Sequence, residues 1–156
     1  MTSATDAADV DPAGMGGEFS SLIPVIAREH RSLAAALLRD YGLYPGQELL
    51  LQYLWAEEPR LQSDLARLLE IEAPTATKML QRMEAAGLLS RSKSPDDARQ
   101  MLVRLTEDGR ALREPIRAIW EQLERGTTAT LSAAEQRELA RLLRKVRAAV
   151  AESRAG

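Results

Sequence analysis

From Glu18 onward the apolar side chains Leu22, Ile23, Ile26, Leu33, Leu37 and Leu38 recur at intervals of three and four, with His30 in the same row. That period predicts a long amphipathic helix, ended where "YGLYPG" brings in Gly42 and Pro45. A second apolar helix is predicted over Gln47 to Trp55. After the break "EEPRLQSD" a short third comes over Ser63 to Leu69, and a fourth over Glu72 to Ala86 stops at Gly87, where a left-handed cap is favoured. The period then changes. "LLSRSKS" and "RQMLVRL", separated by "PDDA", put Met101, Val103 and Leu105 on one face at a spacing of two, the signature of a β-hairpin. Thr106 opens a fifth helix with Glu107 and Asp108 in its first turn and Leu112, Ile116, Ile119 and Leu123 inside. "GTTAT" interrupts it. Ser132 and Glu135 form a capping box for a sixth helix lined by Leu139, Leu142, Leu143, Val146 and Val150.

Helix, short helix, turn, helix, hairpin is the order of a winged helix-turn-helix. The expected fold is mainly α with a small β-wing, dimeric through its N- and C-terminal helices. Leu65, Ala66 and Leu69 can pack on Ala76, Leu80 and Met83, with small Ala66 letting the two helices cross closely. The start of the fourth helix carries Ala73, Pro74, Thr75, Thr77 and Lys78, short enough to let its backbone enter a major groove; the same residues are also good capping chemistry. The terminal helices offer more apolar face than a three-helix core could cover. A symmetric dimer would cover it and would imply a palindromic operator; a monomer with its terminal helices packed together is the alternative. The expected organisation is a flexible arm over residues 1–17, a dimerisation helix over 18–44, a winged helix-turn-helix lobe over 45–105 and C-terminal dimerisation helices over 106–156.

A chain of 156 residues, 45% hydrophobic, can bury a core without staples, and its lack of cysteine excludes disulfides, thiolate metal sites and cysteine nucleophiles. With no secretory pattern and no apolar run near the roughly 20 residues that span a bilayer, a soluble cytoplasmic protein without membrane contact is expected. The net charge of -2 hides segregation. Between Thr75 and Arg104 stand Lys78, Arg82, Arg91, Lys93, Arg99 and Arg104 against only Glu84, Asp96 and Asp97. At the hairpin tip Arg99 could enter a narrow, electronegative minor groove with Asp97 orienting its guanidinium, or the two could form a solvated turn pair. Catalysis has no support: one histidine, no phosphate-cradling loop and no clustered ligands leave no enzyme, cofactor or metal expectation. His30 reads as an interior or interface histidine. Together with Tyr41, Tyr44, Trp55 and Trp120 it could line a small-molecule pocket, although aromatic residues at helical spacing also serve as plain core.

Over about residues 20 to 150 the sequence resembles the multiple antibiotic resistance regulator (MarR) family. The likeness rests on "DARQMLVRLTEDG", with Asp97, Arg99, Leu105, Thr106 and Gly109, and on "LARLLEIEAPTATKMLQRMEAAGLLSR". It implies a dimer intertwined through the first, fifth and sixth helices, and recognition helices that read successive major grooves. It places Thr75, Thr77 and Lys78 at base and phosphate contacts, Arg82 at a backbone contact and Arg99 at the minor-groove wing tip. Ala73, Pro74, Arg91, Lys93 and Asp97 complete the expected DNA-binding set. Glu72 departs from the small polar residue usual there and is expected to cap the helix, turned away from phosphate. The implied function is a sequence-specific, DNA-binding transcriptional regulator, a repressor of a palindromic operator that a small-molecule effector could release. The alternative is a winged-helix module that docks a protein.

Overall fold

The computed structural model describes residues 17–155; apart from Gly17, the arm expected over 1–17 lies outside the described residues. Helix α1 (Glu18–Leu38) passes into a 3-10 turn (Arg39–Tyr41) that Gly42 ends at φ 66°. Then come α2 (Gln47–Ala56), β1 (Arg60–Leu61), α3 (Gln62–Leu68), α4 (Ala73–Ala85), β2 (Leu89–Lys93) and β3 (Met101–Leu105). Helices α5 (Glu107–Ala111), α6 (Arg113–Thr128) and α7 (Ala133–Ala155) complete the chain. The described residues fall into two compact units, divided between Ile119 and Trp120.

The first unit is built around the leucines that the period singles out. Leu50, Leu51 and Leu54 of α2, Leu65 of α3, Leu80 and Met83 of α4, Leu89 of β2 and Val103 of β3 are all fully buried. Ala66 and Ala76 are buried too, as expected for two helices that cross closely. The sheet is antiparallel in the order β1-β3-β2, with Arg91 opposite Val103 and Lys93 opposite Met101.

Three features depart from the periodic reading. Within "EEPRLQSD" the residues Arg60 and Leu61 pair with Val103 and Leu102, so the wing has a third strand. The expected fifth helix is two, α5 and α6, divided at Leu112. Pro115 explains the division: it has no N–H for the Ala111 carbonyl, and its ring would clash with that carbonyl in a continuous helix. Conversely Gly126, Thr127 and Thr128 belong to α6, because the Thr127 and Thr128 hydroxyls donate to the Leu123 and Glu124 carbonyls at 2.7 and 2.8 Å.

In the second unit the expected capping box is present. The Ser132 N–H donates to the Glu135 carboxylate at 2.8 Å, and the Glu135 N–H reaches back to Ser132 Oγ at 3.4 Å. The Ser132 hydroxyl, which donates to the same carboxylate at 2.7 Å, and then the Ser132 N–H hold the Glu135 carboxyl below the usual glutamate range. Gln136 donates to the Thr128 and Leu131 carbonyls, joining the end of α6 to the start of α7. Leu139, Leu142, Leu143, Val146 and Val150 stand exposed along one side of α7.

Among the described residues Glu48 is the one buried acidic side chain, 6% exposed, with Oε2 accepting from the Gly46 N–H at 2.7 Å. Burial raises its pKa above the ordinary glutamate value of 4.5. The folded chain therefore keeps this proton in a pH window where the unfolded chain has released it. Stability falls as pH rises through that window and stays lowered above it. Glu48→Gln, which retains the acceptor for Gly46, is expected to raise the thermal midpoint by a few degrees at neutral pH and to leave it unchanged below pH 4.5. Thermal unfolding of the two proteins at both pH values checks this; a midpoint unchanged at neutral pH would contradict it.

Candidate nucleic-acid interface

Helix α4 is held at both ends by its own chain. At its C-terminus Gly87 adopts φ 75°, its N–H donates to the Glu84 carbonyl at 2.9 Å, and the Leu88 N–H donates to the Met83 carbonyl at 3.0 Å. This is the six-to-one, five-to-two closure that only a residue at ease in the left-handed region makes cheaply. At its N-terminus Glu72 takes the cap position with extended backbone but forms no side-chain capping bond, contrary to expectation. Pro74, in the first turn, has no N–H to offer. The exposed carboxylate therefore stays in solvent, and the first N–H groups of the helix face outward unmet by it.

Ala73, Pro74, Thr75, Lys78 and Arg82 are exposed on this helix, as a groove-reading surface requires. Thr77 is not equivalent to Thr75. Its hydroxyl donates to the Ala73 carbonyl at 2.9 Å and accepts from Gln62 Nε2 at 2.8 Å, so it bridges α3 to α4. A hydroxyl already engaged on both sides is a poor reader of a base edge.

The loop between β2 and β3 spans residues 94–100. It is closed by the Ser94 N–H donating to the Gln100 carbonyl and the Gln100 N–H donating to the Asp97 carbonyl, both at 2.9 Å. Asp97 Oδ1 accepts from the Arg99 backbone N–H at 3.0 Å and from Arg99 Nε at 3.1 Å. The Arg99 side chain is 91% exposed, Asp97 only 30%. The aspartate thus aims a cation into solvent, and the Arg99 hydrogen bonds hold its carboxyl below the usual range. Arg91 differs from its expected role. Its side chain is 16% exposed and bound to Glu84, with Nε and Nη2 donating to Oε2 at 3.0 and 2.8 Å. A guanidinium turned inward onto a carboxylate is not presented to phosphate. Lys93 is exposed at the end of β2.

A cleft of about 210 Å³ is lined by Gln62 and Ser63 of α3, Ala73 and Ala76 of α4, and Arg99, Gln100 and Met101 of the wing. The wing arginine therefore stands beside the start of α4. Among the described residues no carboxylate pairs with Lys78, Arg82 or Lys93. Of the three acidic residues of this segment, Glu84 and Asp97 are taken by Arg91 and Arg99. What remains is an exposed row of positive charge in a chain whose total is negative.

Two further links join this lobe to α5. Thr106 Oγ1 donates to the Gly87 carbonyl at 2.6 Å and accepts from the Gly109 N–H at 3.1 Å, so the cap of α5 is also a tie to the end of α4. Glu58 Oε2 accepts from the Leu105 N–H and Oε1 from Arg110 Nε, each at 2.8 Å. Neither Glu58, the second of two glutamates before a proline, nor Gln62, at a helix start, carries a sequence signal for these bonds, and only the fold shows its partner.

The five residues of the expected effector set stand on different elements. Tyr44 is exposed and lines two clefts, and Tyr41 is exposed on the 3-10 turn. Trp55 donates its indole N–H to the Gly109 carbonyl at 2.9 Å, a structural commitment. His30 is half-buried on α1, and Trp120 is half-buried in the second unit. Tyr44 shares its smaller cleft, about 210 Å³, with Pro45, Gln47, Thr75, Lys78, Met79 and Arg82. Tyr44 therefore lines a cleft with basic neighbours, Lys78 and Arg82, that the sequence did not associate with it.

The MarR family model matches residues 43–101, from the end of the 3-10 turn through the wing loop. The organic hydroperoxide resistance transcriptional regulator of Bacillus subtilis is 42% identical over 104 residues, 67% of this chain and 71% of that protein. The chain belongs to the MarR family. Its fold is shared with Bordetella bronchiseptica BpsR, whose DNA binding is regulated by 6-hydroxynicotinic acid: 29% identity, TM-score 0.75, covering 83% of this chain and 98% of that one. It is shared as well with a mutant MarR from E. coli complexed with operator DNA, at 25% identity and TM-score 0.72, covering 84% and 99%. This MarR protein is therefore a DNA-binding transcriptional regulator and not an enzyme. Among the described residues no helix is long and apolar enough to cross a membrane.

Proposed function

We propose that this MarR-family regulator is a cytoplasmic repressor that binds a palindromic operator as a homodimer. Each α4 enters a major groove with Thr75 on base edges and Lys78 and Arg82 on phosphates, and Arg99 reaches the flanking minor groove. The observation that carries this reading is the placement of Arg99 beside the start of α4, with Asp97 holding a guanidinium that is otherwise exposed. A narrow minor groove concentrates negative potential, and an arginine aimed by a carboxylate enters it with less entropy to lose than a free one.

Selection of bound fragments from the source genome, then titration of the best duplex at rising salt, tests the reading. Affinity for that duplex should fall steeply with salt as counterions are released. In the same assay Arg99→Ala is expected to weaken binding about tenfold to a hundredfold and to lower the salt slope by about one contact. Asp97→Ala is expected to cost less, and the two losses should not be additive. Equal binding of selected and random duplexes would refute sequence-specific recognition.

The effector belongs to the cleft on the exposed side of α4. A small aromatic acid fits its chemistry: the ring lies against Tyr44, Pro45 and Met79, and the carboxylate meets Lys78 and Arg82. Occupying those two cations removes them from phosphate, so such a ligand competes with the operator. Titrating aromatic carboxylates into the operator complex should raise the apparent Kd in proportion to ligand concentration. A ligand that lowers operator affinity only to a plateau would place its site elsewhere.

A further inference from the structure

Arg91 stands opposite Val103 in the ladder, and its own N–H is directed not to β3 but to Glu84 Oε1, at 2.9 Å. Glu84 Oε2 takes the guanidinium of the same residue through two further hydrogen bonds. One carboxylate, in the last turn of α4, therefore holds both the main chain and the side chain of one residue of the outer strand. Three bonds at fixed directions resist sliding and rotation together, as a single surface ion pair does not. β2 has β3 as its one neighbour in the sheet, so this is the connection that ties the free edge of the wing directly to the recognition helix.

We infer that Glu84 and Arg91 are positioning residues for DNA binding: their clamp sets where the wing tip stands relative to Thr75 and Lys78, and hence whether Arg99 meets the minor groove while α4 occupies the major groove. This rests on the minor-groove reading of Arg99. The lever is long enough to matter. Arg99 follows Arg91 by eight residues, and the register that sets Lys93 opposite Met101 puts it about four positions farther out along the hairpin, roughly 13 Å at the strand rise, so a tilt of about 10° at the clamp moves it about 2 Å, close to the H···O length of a hydrogen bond. The fold does not depend on the clamp. Val103 and Leu105 are buried, β1 pairs with β3, and Glu58 holds the Leu105 N–H, so the wing stays attached without it.

The test is a cycle of operator affinities, measured by fluorescence anisotropy on the selected duplex with the active fraction set by stoichiometric titration. Glu84→Gln keeps an acceptor for the Arg91 N–H and removes the charge. It is expected to weaken binding several-fold and to shrink the cost of Arg99→Ala from tenfold or more to about threefold or less. Arg91→Lys, which leaves a positive charge but no fork, should behave in the same way. The reversed pair, Glu84→Arg with Arg91→Glu, should restore part of the Arg99 contribution. A brace that merely keeps the chain folded would lower the active fraction and leave the Arg99→Ala factor the same in every background. That result overturns the clamp while leaving the wing reading intact. If Arg99→Ala changes nothing in the parent protein, or the parent shows no duplex preference, both readings fall.

Discussion

Gly109→Ala is expected to destabilise the protein by about 1–3 kcal/mol, although Gly109 lies in a helix where alanine is ordinarily favoured by about 1 kcal/mol. The two effects have opposite signs, and the packing decides between them. A Cβ at Gly109 would overlap the carbonyl oxygen of Leu88, with the Leu88 carbonyl carbon at 3.0 Å and Leu105 Cδ2 at 3.2 Å. Leu105 Cδ2 can yield; the backbone at Leu88 cannot readily do so. Its oxygen accepts from the Thr106 N–H at 3.1 Å, its N–H closes α4 on Met83, and the neighbouring Gly87 carbonyl is held by Thr106 Oγ1. Moving α5 instead strains the Trp55 bond to the Gly109 carbonyl, a contribution of about 1 kcal/mol. Urea unfolding of Gly109→Ala against the parent measures the sum. A variant as stable as the parent would mean that the turn at Leu88 yields, and that the leucine-threonine…glycine run has no packing reason at this site.

That run shows how far the fold was legible. Amphipathic faces ten or more residues long announce themselves by period, and α1, α2, α4 and α7 stand where the period puts them. Hairpin alternation at Met101, Val103 and Leu105 likewise marks β3. Two residues cannot display a period, so β1 is silent in the sequence and becomes a strand only because β3 offers it an edge. The division at Leu112 is written in Pro115, but a row of apolar residues from Leu112 to Leu123 outweighs one proline when period alone is read. The threonines after Gly126 look like a break because their hydroxyls compete with the backbone in loops; here they bond back one turn, and α6 runs on through them.

The site was legible in charge and less so in geometry. Clustering of Lys78, Arg82, Lys93 and Arg99 is visible in the order of residues. Which cations face outward is not, because it depends on carboxylates seven and two positions away that the turns bring round. Glu84 takes Arg91 out of the exposed set, whereas Asp97 leaves Arg99 in it and aims it. Two pairs of the same chemistry thus give opposite roles, decided by burial. Thr77 is withdrawn in the same manner by Gln62, fifteen residues earlier.

Replacing Leu142 and Val146 together by aspartate is expected to convert the protein to monomers and to weaken operator binding by about a hundredfold or more. The protomer leaves Phe19, Leu22, Ile23 and Ile26 of α1 exposed, and on α7 the row Leu139, Leu142, Leu143, Val146 and Val150. Phe19 is 76% exposed, a large apolar area to leave in water at about 25 cal/mol per Å². A second copy of the chain would cover such faces symmetrically, and two carboxylates set into the row would be desolvated without partners on association. In the separate protomer those positions already meet solvent, so the variant should keep its secondary structure and unfold cooperatively. Tethering explains the size of the DNA effect: once one half-site is bound, the other lobe of a dimer finds its own at high effective concentration, and a monomer has no such second contact. Sedimentation equilibrium reads the association, and binding to a duplex carrying one half-site separates the causes. There, parent and variant should be equally weak, because each uses a single lobe. If the variant still sediments as a dimer, the interface lies elsewhere on the chain; if it is monomeric yet binds the full operator like the parent, the two lobes are not acting through a shared dimer axis.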